Sequence, residues 1–207
     1  VTPDGRVTYA ALAAEVDRVA ANLHRLGLRR GDHVALCMGN SVRWAVILFA
    51  AASLGAVTVP VNTRWRPAET AYALRQSGAA MLVTADRLLK VDFVAMLREV
   101  LPEIDAALPA ARLPKLRTVI VDGADVPAGT IPGAELDRAA APIADAADPG
   151  DVALIQYTSG TTSAPKGAML THDSMLRDAF HVGRRLGLRP GDRYLSQRPL
   201  FHVAGVT

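Results

Sequence analysis

Cysteine occurs once in these 207 residues, at Cys37, which excludes an internal disulfide and a metal site built on several thiolates. Set in the apolar run HVALCM, that thiol reads as a small buried hydrophobe rather than a nucleophile. Lysine is nearly as scarce: of 23 basic residues only Lys90, Lys115 and Lys166 are Lys, so each is worth placing. Aromatic residues make up 5%, and Trp44 and Trp65 read as packing residues rather than platforms for a stacked adenine. The net charge of +3 is too small to point to nucleic acid. No basic-then-apolar leader stands at Val1, which fits a cytoplasmic protein and a piece of a longer one. The one uncharged stretch of membrane length, 20 residues from Trp44 to Thr63, is broken by Gly55 and Pro60 and passes from WAVILFAAASL to VTVPV. It reads as a buried helix, a turn and a buried strand, so no transmembrane segment is expected.

What is present is ample apolar material, 50% of the chain, in alternating patterns. Thr8 precedes helical spacing over Tyr9 to Leu26 that stops at Gly27. A strand is expected at His33 to Met38, a helix at Ser41 to Leu54 and a strand at VTVPV. A third helix follows from Pro67 to Ser77, with Arg66 a poor N-cap, and a strand at Ala79 to Thr84. A helix over FVAMLREVLPEI after Asp92 and a strand at Arg117 to Val121 continue the series. Asp122 to Pro149 reads as surface loop with one short helix near Ala134 to Ala140. The alternation predicts an α/β fold of layered, mostly parallel sheet with flanking helices, which binds ligands at the C-terminal edge of its strands.

The segment ALIQYTSGTTSAPKGAMLTH carries the chemistry. A strand through Tyr157 leads into Thr158, Ser159, Gly160, Thr161, Thr162 and Ser163, then Lys166 and Gly167. Five hydroxyls, two glycines and one ammonium fall within ten residues. Glycine lets backbone N–H groups approach an anion, hydroxyls donate to phosphate oxygens, and Lys supplies a mobile charge. The spacing is not that of the P-loop of nucleotide triphosphatases: the fifth residue after Gly160 is Pro165 rather than Gly, and Gly167 stands where that loop has Ser or Thr. On composition alone, an exposed Ser/Thr/Gly hairpin turn with an incidental Lys is the alternative.

YTSGTTSAPKG resembles the phosphate-binding signature of the adenylate-forming (AMP-binding) superfamily of acyl-CoA synthetases, luciferases and peptide-synthetase adenylation domains. VTYAALAAEVDRVAANLHRLGLRRGDHVAL, GAVTVPVNTRWRPAETAYALRQSGAAMLVT and PLFHVAG are similar to the same family in the same order, so the likeness spans all but Asp122 to Pro149. Ser163 departs from the usual Gly. The resemblance implies that residues 1–207 are a partial N-terminal AMP-binding domain, without the later part of that domain and the small C-terminal one. It implies a ligase that uses ATP, Mg²⁺ and coenzyme A: a carboxylic acid attacks the α-phosphate, pyrophosphate leaves, and the acyl group passes from the adenylate to the thiol. Thr158, Ser159, Gly160, Thr161, Thr162, Ser163 and Gly167 would hold phosphates, with Lys166 as the catalytic charge.

His202, in PLFHVAG, reads on residues alone as a packed side chain; the matching family segment lines the acyl pocket. His24, His33, His172 and His181 are expected at the surface or as caps, Arg184, Arg185, Arg189 and Arg193 on a solvated face, and no protein ligand set for a metal is expected. Apolar strand faces left uncovered at Thr207 predict self-association, with a homodimer as one form. Two other classes remain open: a non-catalytic module, and an ATP-hydrolysing or phosphotransfer enzyme with an unusual loop.

Overall fold

The computed structural model describes residues 5–106, 108–158 and 165–206. Helix α1 (Tyr9–Arg25) opens at Thr8, whose hydroxyl accepts from the Ala11 N–H at 3.1 Å, a cap worth about 1 kcal/mol. Strand β1 (His33–Cys37) follows, then α2 (Val42–Ser53), capped by Ser41 through the Trp44 N–H, and β2 (Val57–Pro60). Helix α3 (Pro67–Ser77) starts with Pro67 in its first turn. Arg66 caps nothing with its own side chain; instead the Glu69 carboxylate accepts from the Arg66 backbone N–H at 2.9 Å. Gly78, at φ +63°, closes α3 in the left-handed conformation that glycine adopts without strain.

Strand β3 (Met81–Ala85) leads to a small hairpin of β4 (Arg87–Leu88) and β5 (Val91–Asp92), which the sequence patterns had not indicated. Helix α4 (Phe93–Val100) is capped by Asp92 and ends earlier than the apolar pattern implies. Pro102 supplies no N–H to continue the ladder, and residues Pro102–Asp105 turn into a 3₁₀ helix. Strand β6 (Thr118–Asp122) comes next.

The stretch expected to be surface loop is more ordered than that. It contains an edge strand β7 (Ile131–Pro132) and, where a short helix was expected, a single 3₁₀ helix (Gly133–Asp137). Leu136 is fully buried. Asn22 of α1, 1% exposed, donates to the carbonyls of Arg18, Leu136 and Arg138, and Arg43 reaches Asp137 at 2.6 Å and the Gly133 carbonyl at 2.9 Å. Long-range anchoring of this kind leaves no periodicity in the sequence, which is why the segment reads as loop.

Strands β8 (Val152–Thr158) and β9 (Lys166–Thr171) and helices α5 (His172–Arg185) and α6 (Val203–Val206) complete the chain. The sheet has seven strands in the order β7-β6-β3-β1-β2-β8-β9; all neighbours are parallel except the antiparallel pair β8–β9. One face packs on α3 and α4 through Ala35, Val59, Leu82, Phe93, Leu97 and Val121. The other packs on α1 and α2 through Val19, Leu23, Leu36, Trp44, Ile47 and Val83. Burial of both faces accounts for the near-continuous apolar strands. Residues 44–63 form the buried helix and strand read from the sequence, and among the described residues no helix is long and apolar enough to cross a membrane. Cys37 is buried, and burial pushes its thiol pKa up to about 12.

Candidate active site

The C-terminal ends of β1, β2 and β8 meet on one edge of the sheet. β8 runs parallel to β2 through Thr58 and Leu154, then turns back as β9, with Tyr157 opposite Gly167 and Thr158 opposite Lys166. The Thr158 hydroxyl points to the Lys166 carbonyl at 3.5 Å across the mouth of this hairpin. Ser159, Gly160, Thr161, Thr162 and Ser163 lie outside the described residues. Lys166 is exposed and makes no ion pair among the described residues. Gly167 is a place of close approach: a Cβ there would stand 2.7 Å from Ile155 Cγ2 and 3.6 Å from the Tyr157 ring.

Beside the hairpin mouth lies a cavity of about 250 Å³. Pro60, Asn62, Trp65 and Glu69 line it from the β2–α3 side, Gln156, Tyr157, Thr158 and Pro165 from the hairpin, and Phe201, His202 and Val203 from the far end of the chain. Thr158 and His202, 44 residues apart in sequence, therefore share one cavity; Lys166 stands next to its wall at Pro165 but does not line it. A larger open cleft of about 540 Å³ lies at the opposite edge, near the starts of β1 and β3, and holds none of the residues singled out for chemistry. Parallel sheets place ligands at the other edge.

Several cavity residues escaped the sequence reading. Trp65 and Tyr157 meet edge to face, ring centroids 5.8 Å apart at 81°, and the Tyr157 hydroxyl donates to the Gln76 carboxamide on α3. Burial raises the Tyr157 phenol to about 12, so it stays a neutral donor at physiological pH. His202 is exposed, and its Nδ1 accepts from the Ala204 N–H at 3.3 Å, which leaves Nε2 as the donor of the neutral ring. Asn40, beyond β1, and Gln156 hold the backbone that carries His202. Tyr157 opens the loop signature and His202 lies in PLFHVAG, but nothing in the sequence pattern pointed to Asn40, and adjacency to the signature was the only signal for Gln156.

The other histidines divide. His24 and His181 are exposed, while His33 is a half-buried strand residue whose Nδ1 pairs with the Ser77 carbonyl at 2.6 Å, and His172 starts α5 half-buried. His33 thus fits the capping half of the expectation: β1 carries it against the end of α3, where it pairs with the carbonyl of the helix's last residue. Arg184, Arg185, Arg189 and Arg193 are exposed as expected. No cluster of three or more His, Cys, Asp or Glu able to hold a metal occurs among the described residues.

A doubly covered parallel sheet with the β8–β9 pair beside a cavity at its C-terminal edge is an α/β architecture of the kind that takes ligands at that edge. Comparison makes the assignment specific: the chain belongs to the AMP-binding enzyme family, whose profile matches residues 1–207. It is 34% identical to the putative acyl-CoA synthetase YngI of Bacillus subtilis over 97% of this chain and 39% of that protein. It is 36% identical to the long-chain-fatty-acid–CoA ligase FadD13 of Mycobacterium tuberculosis over 99% of this chain and 37% of that one. Among solved structures, the inhibitor-bound N-terminal domain of FACL13 from Mycobacterium tuberculosis superposes with a TM-score of 0.79 at 36% identity, covering 98% of this chain and 47% of that one. The anthranilate CoA ligase AuaEII in complex with anthranoyl-AMP gives 0.82 at 28%, covering 97% and 37%. The chain thus spans less than half the length of these relatives.

Proposed function

We propose that residues 1–207 form the phosphate-binding N-terminal portion of an acid:CoA ligase. The whole enzyme activates a carboxylic acid with ATP to an acyl-adenylate, releases pyrophosphate, and passes the acyl group to coenzyme A. The observation that carries this reading is the shared cavity: the family's phosphate-loop segment, entered at Thr158, and the PLFHVAG segment with His202 border the same space. In this reading Ser159 to Ser163 present N–H and hydroxyl donors to the β- and γ-phosphates, and Lys166 neutralises them and the departing pyrophosphate. Gly167 keeps β9 close against Ile155, which holds Lys166 opposite Thr158. His202 offers its Nε2 donor on the acyl side, and Trp65 and Tyr157 wall the cavity.

Positioning and charge neutralisation, more than covalent help, govern phosphoryl chemistry of this kind. Mg²⁺ is part of the proposal as the companion of ATP. Among the cavity's described lining residues Glu69 is the carboxylate; its Oε2 accepts from the Arg66 N–H, and no group of three or more His, Cys, Asp or Glu able to hold a metal occurs among the described residues. The extent of the domain beyond this chain and a cytoplasmic setting belong to the same proposal. A homodimer is supported by exposed Met169, Leu176 and Phe180 on β9 and α5, and sedimentation of the purified protein tests it.

The deciding experiment is carboxylate-dependent exchange of labelled pyrophosphate into ATP by the intact protein. The acid panel runs from fatty to aromatic acids, because the relatives are named for both. Exchange with at least one acid is expected. Acid-independent release of phosphate and ADP would replace this reading with an ATP-hydrolysing or phosphotransfer enzyme.

A further inference from the structure

We infer that Asn40 and Gln156 are positioning residues for the acyl side of the cavity: two carboxamides on the sheet edge that clamp residues 198–202 and so fix His202 beside Thr158. The inference rests on the functional reading above and adds to it residues that no motif contains.

The contacts are specific. Asn40 uses both ends of its amide, Nδ2 donating to the Arg198 carbonyl at 2.8 Å and Oδ1 accepting from the Leu200 N–H at 2.8 Å, in the manner of a strand partner. It stands between the end of β1 and Ser41, the cap of α2, so its backbone is anchored on both sides. Gln156, in the middle of β8 and 5% exposed, donates from Nε2 to the Phe201 carbonyl at 3.0 Å, one residue before His202. The chain between α5 and α6 has no strand or helix among its described residues, and its other backbone bonds in 198–202 are local, such as His202 N–H to Pro199. Among the described residues, Asn40 and Gln156 supply the hydrogen bonds that tie 198–202 to the sheet.

The residue type at 156 is itself informative. Its strand neighbour two positions back is Leu154, fully buried on the same face, and an apolar side chain would pack there without desolvating an amide. Gln156 instead leaves its Oε1 buried with no hydrogen-bond partner. An unpaired buried acceptor is a cost, and the compensating gains visible in the structure are the bonds from Nε2 to the neighbouring Tyr157 carbonyl at 3.3 Å and to the Phe201 carbonyl at 3.0 Å, of which only the second reaches outside β8. That second bond joins the two halves of the cavity, since Gln156 is two residues from Thr158 on the phosphate side.

The test uses the intact ligase with Gln156→Glu, an isostere that cannot donate; Gln156→Met, which keeps the volume; Asn40→Asp, which keeps acceptance from Leu200 but places an oxygen against the Arg198 carbonyl; and Asn40→Ala. Acid-dependent pyrophosphate exchange gives KM for acid and for ATP separately, and amide hydrogen exchange reports on peptides spanning 198–202. Both Gln156 variants and both Asn40 variants should raise the acid KM about fivefold to tenfold, while the ATP KM moves less than about twofold; amide exchange in 198–202 should quicken. An unchanged acid KM, wild-type protection of 198–202, or a parallel rise in both KM values overturns the clamp. If Gln156→Glu does not fold, Gln156→Met and the Asn40 variants decide. Absence of exchange activity in the wild-type enzyme would instead refute the functional reading, and the amide-exchange comparison would then decide the clamp by itself.

Discussion

Gly167→Ala tests the hairpin geometry on which the phosphate-loop assignment depends. The new methyl would sit 2.7 Å from Ile155 Cγ2, well inside van der Waals contact. Ile155 has little room to yield: it is 8% exposed, belongs to the core between the sheet and α3–α4, and its β-branched side chain has few rotamers. Overpacking of this kind costs about 1 to 3 kcal/mol. With a urea slope of about 2.5 kcal/mol/M, the unfolding midpoint should fall by about 0.4 to 1.2 M without a change of slope. The companion variant Ile155→Ala removes the clashing atom and is itself destabilising, by about 2 to 4 kcal/mol. In that background the added methyl has space, so Gly167→Ala should then cost less than about 0.5 kcal/mol. The double-mutant cycle isolates the contact. An equal cost of Gly167→Ala in both backgrounds would refute the claim that Gly167 is selected by its approach to Ile155, and with it the account of how Lys166 is held opposite Thr158.

Three further outcomes are expected. If Lys166 acts as proposed, Lys166→Ala in the intact enzyme should slow the pyrophosphate-forming step roughly tenfold to a hundredfold, yet affect thioester formation from supplied acyl-adenylate less, because the phosphates it would neutralise have left by then; equal slowing in half-reaction assays would count against the role. Asn22→Ala should lower stability by about 2 to 4 kcal/mol in urea unfolding, since it strips the Leu136 and Arg138 carbonyls of their donor and frees the 3₁₀ segment from α1. Cys37 has a folded pKa raised by burial to about 12, so the folded state holds its proton where the unfolded chain, near 8.5, has lost it. Its contribution is complete below about pH 8 and disappears as pH rises toward 12; the alkaline fall in unfolding free energy should be shallower in Cys37→Ala, and native Cys37 should resist alkylation at pH 8.

Periodicity and punctuation in the sequence were enough for the first half of the sheet. Thr8, Ser41 and Pro67 mark helix starts, the apolar runs around Ala35, Val59 and Val83 mark strands buried on both faces, and the local rules that make them so act over a few residues. The strand leading into the hydroxyl-rich segment was legible as the apolar run ALIQY, whereas Ser159 to Ser163 themselves lie outside the described residues. Local pattern overran at Val100, where Pro102 ends the ladder although Leu101 and Ile104 stay apolar and buried.

Tertiary structure alone decided which distant groups meet. Strand order places β2 beside β8 across more than ninety residues, and only that pairing brings Pro60, Trp65 and Thr158 to one cavity. The order within residues 122–149 came from Asn22 and Arg43 on helices far earlier in the chain, and the placement of His202 from the amides of Asn40 and Gln156. A hydrogen bond between residues a hundred positions apart leaves no spacing to read, because either partner alone is an ordinary polar residue. Local residue patterns therefore determined the elements, and packing of the sheet determined which of their residues line the cavity at its C-terminal edge.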